Sequence, residues 1–322
     1  MAETIALDVH CHLAPLTPER TAGLEGIEWK GEALSIDGYV LASPSVYRAD
    51  ALLAWMDGNG VEKAWISVPP PLYRLDLESE AAARWTECMN EALAAVGAEH
   101  PGRLKPLFHL PVRHPALAAK IAAERIAASA PLFAMPAGSA SREIILSDEA
   151  YAPLWKALDA AGAFLFLHPC KGCDPRYEPF YLHNLLGSPV ETALAAAHLA
   201  LSGILDRHTR LKLCLAHGGG ATAAVAGRLE RGQLTGRPGA DTGARRPRAV
   251  FRHVCVDCIC HDNAVLALAA AAHGSENIFF GSDWPFSMGM PEPHAQMADV
   301  DPALRRKIFC DNPNTLLERY WR

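Results

Sequence analysis

Short apolar runs alternate along the chain with longer Ala/Leu-rich stretches of helical period, and a turn signal separates one from the next. The apolar runs are Ile5–His12, Ala64–Pro69, Leu104–Val112, Pro131–Ala137, Ala163–Pro169, Leu211–His217, His253–Cys258 and Asn277–Asp283. Eight runs of this length, each followed by a helical pattern, read as parallel strands with crossover helices. Helix punctuation supports the reading. Ser147-Asp148 precedes the periodic run Tyr151–Ala161, which stops at Gly162; Asp262 opens Ala264–Ala272, which stops at Gly274. An acidic N-cap and a glycine just past the last turn are the usual helix bounds. The pattern predicts an α/β fold, a closed (β/α)8 TIM-like barrel ahead of an open doubly wound sheet.

Two segments break the repeat. Leu13–Ala49 is a long insertion after the first strand with Trp29, Tyr39 and Tyr47, expected as a lid or substrate wall, because strand-to-helix loops lie over a barrel's active site. Residues 232–248 are polar and Gly/Pro-rich and are expected to be a mobile loop. Neither segment has the character of a linker, so one domain is expected over residues 1–322.

Composition narrows the function. The 322 residues carry a net charge of -6, with 50% hydrophobic and 20% charged positions. This is a globular composition without the basic footprint of a nucleic-acid binder. No apolar run reaches membrane-spanning length, and the N-terminus lacks the pattern of a secretory signal. Nine cysteines, an odd number scattered singly, read as reduced thiols in a cytoplasmic protein.

The chemistry sits at strand ends. In Asp8-Val9-His10-Cys11-His12 the two imidazoles fall at i and i+2, on one face of a strand. Such a pair is half of a site for zinc or a similar ion, or simply two polar strand-end residues. The fifth run ends in His168, the sixth in His217 and the eighth in Asp283. Burying such groups unpaired costs several kcal/mol, on the order of a lost charge or hydrogen bond, so partners are expected. In a barrel the C-terminal strand ends open on one face, which would gather residues 10, 12, 168, 217 and 283.

The ordered set His10/His12, His168-Pro169, Ala216-His217-Gly218-Gly219-Gly220 and Gly281-Ser282-Asp283-Trp284-Pro285-Phe286 resembles the amidohydrolase superfamily. The branch it is most similar to contains aminocarboxymuconate semialdehyde decarboxylase and γ-resorcylate decarboxylase. Gly187–Thr192 and Asp311-Asn312-Pro313 extend the likeness over nearly the whole chain. The resemblance implies His10, His12, His168 and Asp283 as ligands of one divalent metal, zinc first and manganese second. It implies His217 as an unligated catalytic histidine, with Asp283 also moving a proton, and it implies a homodimer.

The substrate-facing positions depart from that branch. No arginine stands at its first-loop position, near Val40–Ser43, and Asn184 stands where the branch has tryptophan. Cys170 follows His168-Pro169. His109, Arg113 and Asn184 are the candidate substrate contacts here, although Arg113, Arg74 and Lys171 also read as solvated loop charges. Cys255, Cys258, Cys260 and His261 lack the paired knuckles of a structural zinc site and read as buried thiols. The expected partner is a small carboxylic acid or amide, not nucleic acid or membrane. The expected reaction is nonoxidative decarboxylation of an unsaturated or aromatic acid, with metal-hydroxide hydrolysis of an amide, lactone or activated C–C bond as the alternative.

Overall fold

The computed structural model describes residues 3–31, 33–40, 44–138, 144–170 and 174–321. It falls into two compact units, residues 1–111 with 280–322 and residues 112–279.

In the first unit, strands β1 (Asp8–His12), β5 (Ala64–Ser67) and β6 (Leu104–Pro106) form a parallel sheet in the order β1-β5-β6. Between β1 and β5 the insertion folds into an antiparallel meander of β2 (Ile27–Lys30), β3 (Ala33–Ile36) and β4 (Tyr39–Val40). A short strand β7 (Phe108–His109) follows β6. The segment after residue 280 runs beside β1: Val9 N donates to Phe280 O, and His12 N donates to Trp284 O. Ile5, Leu7, Val9, Cys11, Trp65, Phe280 and Phe309 are fully buried and form the core beneath these strands.

In the second unit, β8 (Leu132–Pro136), β9 (Phe164–His168), β10 (Lys212–Leu215), β11 (Cys255–Asp257) and β12 (Ile278–Phe279) are neighbours in chain order and all parallel. Helices intervene, among them Ala152–Ala161, Ser188–Leu201, Thr222–Leu234 and Asn263–His273. Parallel strands buried on both faces carry continuous apolar runs instead of alternation. Phe164–His168 is accordingly buried at every position.

All eight apolar runs contain a strand, Leu104–Val112 two of them, and every strand is at least two residues shorter than its run. The expected caps are present. Asp148 accepts from Ala150 N, Asp262 accepts from Ala264 N and Val265 N, and Gly162 closes its helix at φ 58°. Segment 232–248 starts in the last turn of the helix Thr222–Leu234. The buried side chain of Gln233 donates to Asp241 O and Ala244 O, tying the segment down. Among the described residues, no helix is long and apolar enough to cross a membrane.

Candidate metal centre and catalytic histidine

Strand alternation puts His10 and His12 on one face of β1, with ring centroids 5.0 Å apart and planes at 87°. Their Nε2 atoms are 3.2 Å apart, and Asp283 Oδ1 lies 3.2 Å from one and 3.1 Å from the other. All three residues are buried. Ligands about 2.0–2.1 Å from a tetrahedral ion stand roughly 3.3 Å apart, so this triangle has the size a divalent cation needs. The donor set suits zinc or manganese equally, since imidazole and carboxylate serve both.

Neighbouring groups set the ligand atoms. Ser67 Oγ donates to Cys11 O at 3.0 Å, so its lone pair accepts from His12 Nδ1 at 3.1 Å. That bond fixes the His12 proton on Nδ1 and leaves Nε2 as the donor atom, the usual outer-shell device of metal sites. Asp283 has φ 55°, and its N–H donates to His10 O at 2.7 Å. A non-glycine residue in this conformation costs on the order of 1–3 kcal/mol and persists where surrounding bonds fix it. Asp8 provides one such brace, missed in the sequence reading. Its fully buried carboxylate accepts from Ser282 Oγ, Ser282 N and His10 N. Burial pushes the Asp8 carboxyl up to about 7, although these hydrogen bonds pull it down.

In the second unit, His168 ends β9 and His217 follows β10, with rings 5.0 Å apart at 72°. A carbonyl can only accept, so the 2.8 Å contact of His168 Nδ1 with Pro169 O puts the proton on Nδ1 and leaves Nε2 as the basic nitrogen. His217 opens a turn of left-handed residues, from His217 at φ 56° through Gly220 at φ 59°. A Cβ on Gly218 would run into the Cys260 sulfur, so this close approach needs glycine.

The structure locates the remaining candidates as follows. His109, at the end of β7, is fully buried and stacked on Tyr73 at 5.3 Å, and burial pushes it down to about 4. Arg113 and Asn184 are half-buried, the latter in a π-helical turn before Ser188–Leu201. Lys171 lies outside the described residues. Arg74 is not the solvated charge its loop position suggests: its side chain is buried, bound twice to Asp37 and once to Glu25 O. Burial raises the Cys255 and Cys260 thiols, the latter to about 12, which keeps them protonated; Cys255 and Cys258 are buried and Cys260 is half-buried.

Comparison with known proteins bears on the same residues. The family described as amidohydrolase matches residues 7–319. The 2-amino-3-carboxymuconate-6-semialdehyde decarboxylase of Dictyostelium discoideum is 28% identical over 244 residues, covering 74% of this chain and 67% of that protein. The gamma-resorcylate decarboxylase of Rhodococcus jostii (strain RHA1) is 25% identical over 287 residues, covering 84% and 87%. The crystal structure of 5-carboxyvanillate decarboxylase from Sphingomonas paucimobilis superposes with a TM-score of 0.81 at 23% identity, covering 98% of this chain and 99% of that one. A dihydroxybenzoic acid decarboxylase from Polaromonas sp. JS666, with bound manganese and 2-nitroresorcinol, gives a TM-score of 0.77 at 22% identity, covering 98% and 97%. These structural likenesses establish the fold class as the α/β, (β/α)8 type expected from the strand pattern. The family match spans nearly the whole chain, and the chain belongs to the amidohydrolase family.

Proposed function

We propose that this protein is a metal-dependent nonoxidative decarboxylase of a small aromatic or unsaturated carboxylic acid. One observation carries the reading. A buried His10/His12/Asp283 triangle with cation-sized spacing stands in an amidohydrolase whose relatives above are named as decarboxylases. His168, basic at Nε2, is the fourth ligand in this proposal. Zinc is the first expectation and manganese the alternative, the latter supported by the manganese in the Polaromonas relative. A bound divalent ion supplies a Lewis acid for a carboxylate and a neighbouring oxygen.

The chain's own groups do the rest. His10, His12 and His168 present ring nitrogens, and Asp283 presents a carboxylate that supplies the negative charge of the set. When the bond between carbon and carboxylate breaks, its electron pair stays on carbon and carbon dioxide leaves. The carbon then takes a proton from the His217 imidazole, or from Asp283 once its carboxylate has accepted one from the substrate or water. His109, neutral at working pH, offers a hydrogen bond to the substrate; Arg113 offers a charge and Asn184 an amide. The odd number of cysteines, scattered singly along the chain, supports a cytoplasmic location.

The test supplies metal-loaded protein with a panel of hydroxybenzoic and unsaturated acids, plus amides and lactones, in 18O-labelled water. Carbon dioxide release that stops on chelation is the expected result. Label in the product without carbon dioxide would instead assign hydrolysis, and no metal-dependent turnover of any kind would overturn the reading.

A further inference from the structure

We propose that Asp257 is the positioning residue of His217: its buried carboxylate, at the end of the neighbouring strand, holds the left-handed backbone that aims the imidazole. The proposal rests on the acid–base role given to His217 above. Strands β10 and β11 pair in register at Cys214–Cys255 and Leu215–Val256, which sets Asp257 level with Ala216, one residue before His217. From there Oδ2 accepts from His217 N at 2.9 Å, and Oδ1 accepts from Gly218 N at 2.8 Å and Ile259 N at 3.0 Å. Two successive amides turned toward one carboxylate form an anion nest.

His217 sits at φ 56°, a region side-chain-bearing residues avoid, so the turn needs bonds that hold it there. Asp257 supplies two of them and is fully buried, so water does not compete for its oxygens. The far side of the turn is braced as well. Thr222 Oγ1 donates to Gly219 O at 2.7 Å and lies 3.0 Å from His273 Nε2. His273 is in turn fixed, because its Nδ1 can only donate to the carbonyls of Phe251 and Val254. The backbone of residues 217–219 is thus gripped on both sides, and the orientation of the His217 ring against His168 follows from it.

The test is a double-mutant cycle on the metal-loaded protein. Asp257→Asn keeps the shape but turns a donor toward one of the amides. It is expected to lower kcat on the order of 10²-fold, the scale of a misplaced catalytic group, with KM and metal content little changed. His217→Asn is expected to lower kcat by about 10²–10⁴-fold with metal retained, and asparagine tolerates the left-handed turn. The double variant should be no slower than His217→Asn alone, because Asp257 acts only through that ring. Losses that multiply would overturn the positioning role, as would an Asp257→Asn enzyme with normal kcat or one whose rate tracks lost metal. If Asp257→Asn does not fold, Thr222→Val carries the same cycle from the other brace. Its rate loss should vanish in the His217→Asn background, and a loss that persists there overturns the proposal. A fully active His217→Asn enzyme removes the catalytic role itself, an outcome distinct from multiplied losses.

Discussion

His109 shows how one buried side chain couples the site to stability. Burial holds its imidazole down at about 4, against an ordinary 6.5, so it is neutral in the folded protein. Between pH 6.5 and 4 the unfolded chain takes up a proton that folded His109 refuses. Its stabilising contribution is therefore complete above pH 6.5 and is lost as pH falls, by about 3 kcal/mol in all. His273 is displaced in the same direction, also to about 4, and adds to the slope. The urea midpoint should fall steadily from pH 6.5 to 4.5, and His109→Gln should flatten that fall. An unchanged slope in the variant would show that His109 does not titrate as its burial requires. Histidines at strand ends were legible in the sequence because a polar group closing an apolar run stands out. Asp8 and Asp257 were not singled out: each brace is a single carboxylate whose partners are backbone amides, and amides leave no signature in the residue types.

At the scale of elements, the strand and helix pattern transferred well because parallel β/α units write themselves in continuous apolar runs and caps. The insertion did not. Residues 13–49 read only as a wall or lid, since β2–β4 are at most four residues long, too short for their alternation to stand out. What fastens the meander is Arg74, far away in sequence. Its guanidinium bonds both oxygens of Asp37 and the Glu25 carbonyl, and lies 4.9 Å from the Trp85 ring. Charge-assisted bonds of this kind contribute about 1.5–3 kcal/mol where they are shielded, less at the half-exposed Asp37 end. Arg74→Ala should therefore free the meander locally. Limited proteolysis within residues 21–40 should speed up by roughly tenfold, while the global urea midpoint barely moves. A large shift of the global midpoint would instead make the meander part of the cooperative core.

For the whole molecule, the remaining question is what covers its exposed apolar surface. In the second unit, Phe180 and Tyr181 are 85% and 61% exposed, and Leu186, Val190 and Leu194 follow at helical spacing, the last 51% exposed. Residues four apart share one helix face, so these three form a stripe continuous in sequence with the aromatic pair. Contiguous apolar patches of this kind mark association sites, and twofold dimers bury the same patch from both subunits. The exposure of these leucines is a property of the fold and leaves no signature in the sequence. We propose a homodimer formed through this face. Light scattering at micromolar concentration should then report twice 34.7 kDa. Leu186→Glu with Leu194→Glu would place two carboxylates on each side of a twofold interface, which desolvation and like-charge repulsion oppose. The double variant should run as a monomer with its secondary structure intact. A wild-type protein already at 34.7 kDa would remove the dimer, and a variant that remains dimeric would move the interface to another face.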